Sequence, residues 1–89
     1  MVEFEWDPTK SKETEKKRGL SFADAEKVWD DLDLLIVPAR TEKDEPRWAA
    51  IGKINGKVHT VIFTKRDGKT RIISARRARK EEREKYEGK

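Results

Sequence analysis

The sequence has no cysteine and a single histidine. The first absence excludes a disulfide framework and a thiolate zinc site, and it is the usage expected of a cytoplasmic chain. The second excludes a metal site built on two histidines. No Gly-x-Ser-x-Gly turn offers a nucleophile for a Ser-His-Asp triad. The five glycines are scattered among turns, so no glycine loop cradles a phosphate. No apolar run approaches the roughly 20 residues of a membrane span. The segment Met1 to Asp7 has neither a basic nor an apolar leader region, so neither export nor a membrane partner is expected. Neither a metal nor a cofactor is expected.

What is present is charge. Hydrophobic residues make up 34% and charged residues 45%, close to the range where disorder sets in. Three Trp, three Phe and periodic apolar runs argue instead for a fold. A chain of 89 residues makes one domain, 1–89, with a small core. The net charge of +4 is uneven: residues 1–64 carry 11 basic and 13 acidic side chains, residues 65–89 carry 11 and 5. The basic end points to a polyanion-binding face. It centres on Arg71, Arg76, Arg77, Arg79 and Lys80, which no carboxylate interrupts until Glu81.

Val2 to Trp6 alternates apolar and acidic residues, the period of a half-buried strand. Asp7-Pro8 starts a helix and Gly19 stops it. Residues 9–18 have no large apolar side chain, so this helix should lie exposed. Ser21 and Asp24 stand at capping spacing for a second helix. Its stripe is Phe22, Ala25, Val28, Trp29 and Leu32. Asp30, Asp31 and Asp33 could ligate magnesium but read better as an exposed turn. Leu34 to Val37 reads as a strand ended by Pro38, and 39–46 as a loop. Arg47 to Ile54, Lys57 to Lys65 and Lys69 to Arg76 read as a meander closed by Asn55-Gly56 and Asp67-Gly68. Two-residue turns pair Trp48 with Phe63 and Gly52 with His59, then Phe63 with Ile72, Val61 with Ser74 and His59 with Arg76. The face bearing Ala49, Ile51, Val58, Ile62, Ile73 and Ala75 is the cleaner apolar one and should lie against the helices. A charged helix follows, about Ala78 to Glu87. The expected fold is α+β: a small antiparallel sheet, two N-terminal helices packed on one face, and a C-terminal helix.

The residues suit phosphodiester chemistry. RNA cleavage without a metal needs an activated 2′-hydroxyl, a stabilised phosphorane-like centre and a protonated leaving oxygen. Arginine can clamp the phosphate bidentately, and lysine, histidine or a carboxylate can move protons. Arg47, Arg71 and Arg76 are candidate clamps, and Lys17 and His59 are candidate proton carriers. Lys10, Arg18, His59, Arg77 and Arg79 are candidate RNA contacts. Simpler roles compete. Arg47 and Arg71 could guard a sheet edge, Arg79 could pair along its helix, and His59 could be a packing residue.

Phe4-Glu5-Trp6-Asp7-Pro8, Lys17-Arg18-Gly19-Leu20-Ser21-Phe22, Arg47-x-x-Ala50-Ile51-Gly52 and Arg71-Ile72-Ile73-Ser74-Ala75-Arg76-Arg77-Ala78 together resemble the BrnT toxins over nearly the whole chain. The resemblance implies a RelE-like α+β fold and a ribonuclease that arrests translation. It also implies a BrnA-like antitoxin with a ribbon-helix-helix domain, through which the pair binds operator DNA and represses its operon. It places Lys10, Lys17, Arg47, Arg71 and Arg76 at suspected active-site positions. Two positions depart from the family pattern: Arg18 stands where relatives carry His, and Thr14 where they carry Asn. Arginine cannot shuttle protons near neutral pH. A weakly active or inactive RNA- or antitoxin-binding module is therefore the alternative.

Overall fold

The computed structural model describes residues 2–88. Strand β1 (Phe4–Glu5) is followed by helices α1 (Pro8–Arg18) and α2 (Phe22–Ala25) and a 3-10 turn (Glu26–Asp30). Strands β2 (Leu35–Glu42), β3 (Glu45–Ile54), β4 (Lys57–Arg66) and β5 (Lys69–Arg77) then lead to helix α3 (Lys80–Glu87). The strands form one sheet in the order β1-β5-β4-β3-β2. Strands β2 to β5 are antiparallel, whereas β1 runs parallel to β5, pairing Phe4 with Thr70 and Glu5 with Arg71. The sheet is therefore mixed, not wholly antiparallel as expected. From β1 the chain crosses through α1, α2 and the 3-10 turn to β2 at the far edge, and β3, β4 and β5 bring it back beside β1.

The helix ends follow local chemistry. Asp7 accepts the Thr9 amide at 2.9 Å, Pro8 takes the first turn, and Gly19 closes α1 at φ 70°. Ser21 and Asp24 exchange capping hydrogen bonds at 3.0 and 3.1 Å. The buried Ser11 hydroxyl accepts the Phe22 amide at 2.9 Å and ties α1 to α2. After Ala25 the helix tightens to 3-10 geometry, so the 3.6-residue stripe ends early. Leu32, expected in the stripe, is 101% exposed.

Asn55-Gly56 and Asp67-Gly68 turn as expected, with φ 53° and 79°, then 51° and 79°. Two expectations fail nearby. Pro38 does not end β2, because β2 is an edge strand where a missing N–H is tolerated. Residues 39–46 are not a loop: Lys43 and Asp44, at φ 50° and 60°, make a tight turn between β2 and β3.

The β3–β4 register is the expected one, with Trp48 opposite Phe63 and Gly52 opposite His59. The β4–β5 register begins as expected with Phe63 opposite Ile72, then slips, so that Ser74 faces Ile62. Ile73 is the extra residue of a β-bulge. Beyond it Val61 faces Ala75, not Ser74, and His59 faces Arg77, not Arg76. Arg76 moves beside Thr60 on the opposite face.

The bulge also redistributes the core. Ala75 joins Ala50, Val61, Phe63 and Ile72 against Leu20, Phe22, Ala25 and Val28. Trp29 meets Phe63 and Phe4 edge-on at 5.2 and 4.9 Å. The main core thus lies on the face opposite to the one expected, because the large aromatic rings are there. Ile51 and Val58, on the other face, pack with Ala78 and Tyr86 of the C-terminal segment and helix α3.

Candidate functional site

A cleft of about 820 Å³ opens at the end of the sheet where β5 leads into α3. Its walls include Arg18 at the end of α1, Asp24 of α2, Lys57 and His59 of β4, Arg76 and Arg77 of β5, and Arg79. Gly19, Leu20, Ile54 and Asn55 complete the lining. Five cations thus surround one carboxylate, and Asp24 is already committed to capping α2 and to Lys27 at 3.8 Å. The Ser21 hydrogen bonds and Lys27 outweigh burial and hold the Asp24 carboxyl below its ordinary range.

Arg18 donates to the Ala75 carbonyl at 2.9 Å, which fixes the end of α1 over β5. Arg77 and Arg79 form no ion pair among the described residues, and both side chains are exposed. His59 is buried, and its Nδ1 lies 2.8 Å from the Lys57 carbonyl oxygen. Burial, then the Arg77 and Lys57 charges, push its imidazole below its ordinary value of 6.5, against the opposing pull of the Lys57 carbonyl.

Arg76 reaches the cleft wall but is engaged. Its Nη1 and Nη2 donate to Glu82 Oε1 and Oε2 at 2.7 and 2.8 Å. Glu82 also accepts the Thr60 hydroxyl at 3.0 Å and the Arg79 amide at 2.8 Å, which caps α3. The Arg76 guanidinium, helped by these two donors and opposed by burial, pulls the Glu82 carboxyl down to about 2. The folded value lies below the ordinary 4.5, so this stabilisation is complete above pH 4.5 and lost as pH falls toward 2. Both side chains are about one-fifth exposed. Allowing for solvent screening, the loss should be about 2 kcal/mol. Thermal melts between pH 6 and pH 2 should show Glu82→Gln losing its disadvantage as the pH drops. An unchanged gap between wild type and variant would contradict the assignment.

The other residues singled out from sequence lie elsewhere. At the opposite end of the sheet Thr64 faces Arg71, and Arg47 of β3 pairs with Ala39 of β2. Arg71 pairs with Glu5 at 3.3 Å, and Arg47 with Glu42 at 2.8 Å and Glu45 at 3.8 Å. Arg47 Nε is buried without a hydrogen-bond partner among the described residues. Lys10 and Lys17 are exposed on α1 and do not line the cleft. The structure therefore brings Arg18, His59, Arg76, Arg77 and Arg79 to the cleft wall, whereas Lys10, Lys17, Arg47 and Arg71 do not line it. Lys57 was missed from sequence, where it reads as the first residue after a turn. The turn signal itself places it beside the strand end.

Asp31, expected in a solvated turn, accepts the Tyr86 hydroxyl at 2.5 Å, the Lys53 amide at 2.8 Å and the Asp33 amide at 2.8 Å. No group of three or more His, Cys, Asp or Glu able to hold a metal occurs among the described residues. No helix among them is long and apolar enough to cross a membrane.

The protein is a small α+β domain with a cleft lined by five cations and one carboxylate. The chain belongs to the BrnT toxin family: residues 6–82 match its model, described as the ribonuclease toxin, BrnT, of type II toxin-antitoxin systems. A search among curated proteins gave no match.

Proposed function

We propose that this chain, as a single BrnT-like domain over 1–89 with a RelE-like arrangement, is a cytoplasmic endoribonuclease that cleaves RNA without a metal and arrests translation. The observation that carries the reading is the grouping of Arg18, Lys57, Arg76, Arg77 and Arg79 around one cleft. Forked guanidinium groups bind a phosphodiester in two-point fashion and gain strength as charge builds in the transition state. In this reading Arg77, Arg79 and Arg18 hold the phosphate. Arg76 supports the wall through Glu82. Arg47, Arg71, Lys10 and Lys17 contact the RNA farther along. Purified protein should fragment single-stranded RNA in the presence of EDTA, with binding that weakens steeply as salt rises.

Two engaged arginines favour a second reading. Arg18 is bound to the Ala75 carbonyl and Arg76 to Glu82. A binding module with little activity would retard RNA on a gel without cutting it.

We propose further that a BrnA-like antitoxin with a ribbon-helix-helix domain neutralises the protein, and that the pair represses its own operon on operator DNA. Membership of a type II family supports a protein antitoxin. An acidic antitoxin segment would cover part of the arginine cluster. A complex that leaves Arg18, Arg76, Arg77 and Arg79 all open would contradict this.

A further inference from the structure

Two residues named from sequence could move protons, and one of them lines the cleft. Lys17 is exposed on α1 and outside the cleft, whereas His59 lines it. We propose that His59 is the general base of RNA cleavage, taking the 2′-hydroxyl proton on Nε2. The proposal rests on the ribonuclease reading above.

The geometry gives the imidazole one available acceptor. Its Nδ1 is 2.8 Å from the Lys57 carbonyl oxygen. Two lone pairs would repel at that distance, so Nδ1 carries the proton and Nε2 is left unprotonated. The carbonyl belongs to the same strand, so the ring's tautomer is fixed without a carboxylate partner. The residue is 8% exposed, so it is largely screened from bulk water yet remains part of the cleft wall.

The surroundings keep that base uncharged at neutral pH. Lys57 flanks it on β4, and Arg77 lies directly across on β5. Arg18 from α1, Asp24 from α2, and Arg76 and Arg79 at the β5–α3 junction line the same cleft. Asp24 is the one opposite charge, and its capping bonds direct it at Ser21. On β3 the residue opposite is Gly52, which adds no charge. Cations and burial act in the same direction, against protonation.

In the step itself, the 2′-hydroxyl gives its proton to Nε2 as the 2′-oxygen bonds to phosphorus. The bond from phosphorus to the 5′-oxygen breaks, and that oxygen takes a proton from water. The imidazolium then returns its proton to the hydroxide left behind. Products are a 2′,3′-cyclic phosphate and a free 5′-hydroxyl. The neighbouring guanidinium groups stabilise the phosphorane charge while the base acts.

The test follows cleavage of an end-labelled single-stranded RNA from pH 4.5 to 8.5, alongside an NMR titration of the one imidazole in the intact protein. Wild-type cleavage should fall on the acid side with a midpoint below 6.5, matching the imidazole titration. His59→Gln should cut the rate by about 10²–10⁴-fold and abolish the acid limb. A purely structural role would lower the rate without removing the limb. An active wild type whose acid limb differs from the imidazole midpoint, or persists in His59→Gln, overturns the assignment. The midpoint comparison needs no variant, so misfolding of His59→Gln cannot hide the answer. A wild type that cuts no RNA at all removes the ribonuclease reading and this proposal with it.

Discussion

Arg77→Ala should lower the rate of RNA cleavage by about 10²–10³-fold while shifting the melting temperature by no more than about 2 °C. Its side chain is exposed, forms no ion pair among the described residues, and faces His59 across the sheet. Under the ribonuclease reading, removing it takes away a phosphate-holding guanidinium and little of the packing. Arg77→Lys should recover part of the loss, because it restores the charge but not the fork. Arg71→Ala and Arg47→Ala are the decisive comparison. Both arginines are paired with glutamates at the far end of the sheet. If the cleft is the site of cleavage, each should cost less than Arg77→Ala. A larger loss at Arg71 or Arg47 would place the reacting phosphate at that other end.

That comparison turns on a feature the sequence half conceals. The caps at Asp7 and Ser21 and the turns at Asn55-Gly56 and Asp67-Gly68 were legible because each has a specific chemical demand: an oxygen for an orphan amide, or a residue tolerant of positive φ. Lys43-Asp44 makes the same kind of turn without the usual residue types, and so it read as part of a loop. The bulge at Ile73 carries no glycine or turn residue at all. Its trace is in the spacing of buried residues in β5: Thr70, Ile72 and Ala75 are buried, a step of two and then of three. Adjacent isoleucines masked the change of step, because either could have faced inward. A one-residue slip exchanges the faces of every later side chain. It therefore put Arg77 beside His59 and sent Arg76 to Glu82. Composition placed Arg76, Arg77 and Arg79 together, but Arg71 and Lys80, grouped with them from sequence, do not line the cleft. Which arginine faces the cleft depended on backbone geometry that period-two counting cannot supply.

Asp31→Ala should destabilise the protein by about 3 kcal/mol and lower its melting temperature by about 15 °C. Three donors end on this one carboxylate: the Tyr86 hydroxyl from α3, the Lys53 amide from β3 and the Asp33 amide of its own turn. Burial alone would push its carboxyl up, but these bonds outweigh it and hold the group below its ordinary value. The same contact pushes the Tyr86 hydroxyl up to about 12. Tyr86 therefore favours the folded state fully below pH 10, and that contribution fades as pH rises toward 12. Because Asp31 links the 3-10 turn, β3 and α3, its loss should loosen α3 and the Glu82 that holds Arg76. Urea denaturation of Asp31→Ala, Tyr86→Phe and the double variant measures this directly. The double variant should lose clearly less than the sum of the two single changes, since both remove one shared bond. Strict additivity would mean that Asp31 and Tyr86 act separately, and that α3 is held by the packing of Tyr86 and Ala78 on Ile51 and Val58.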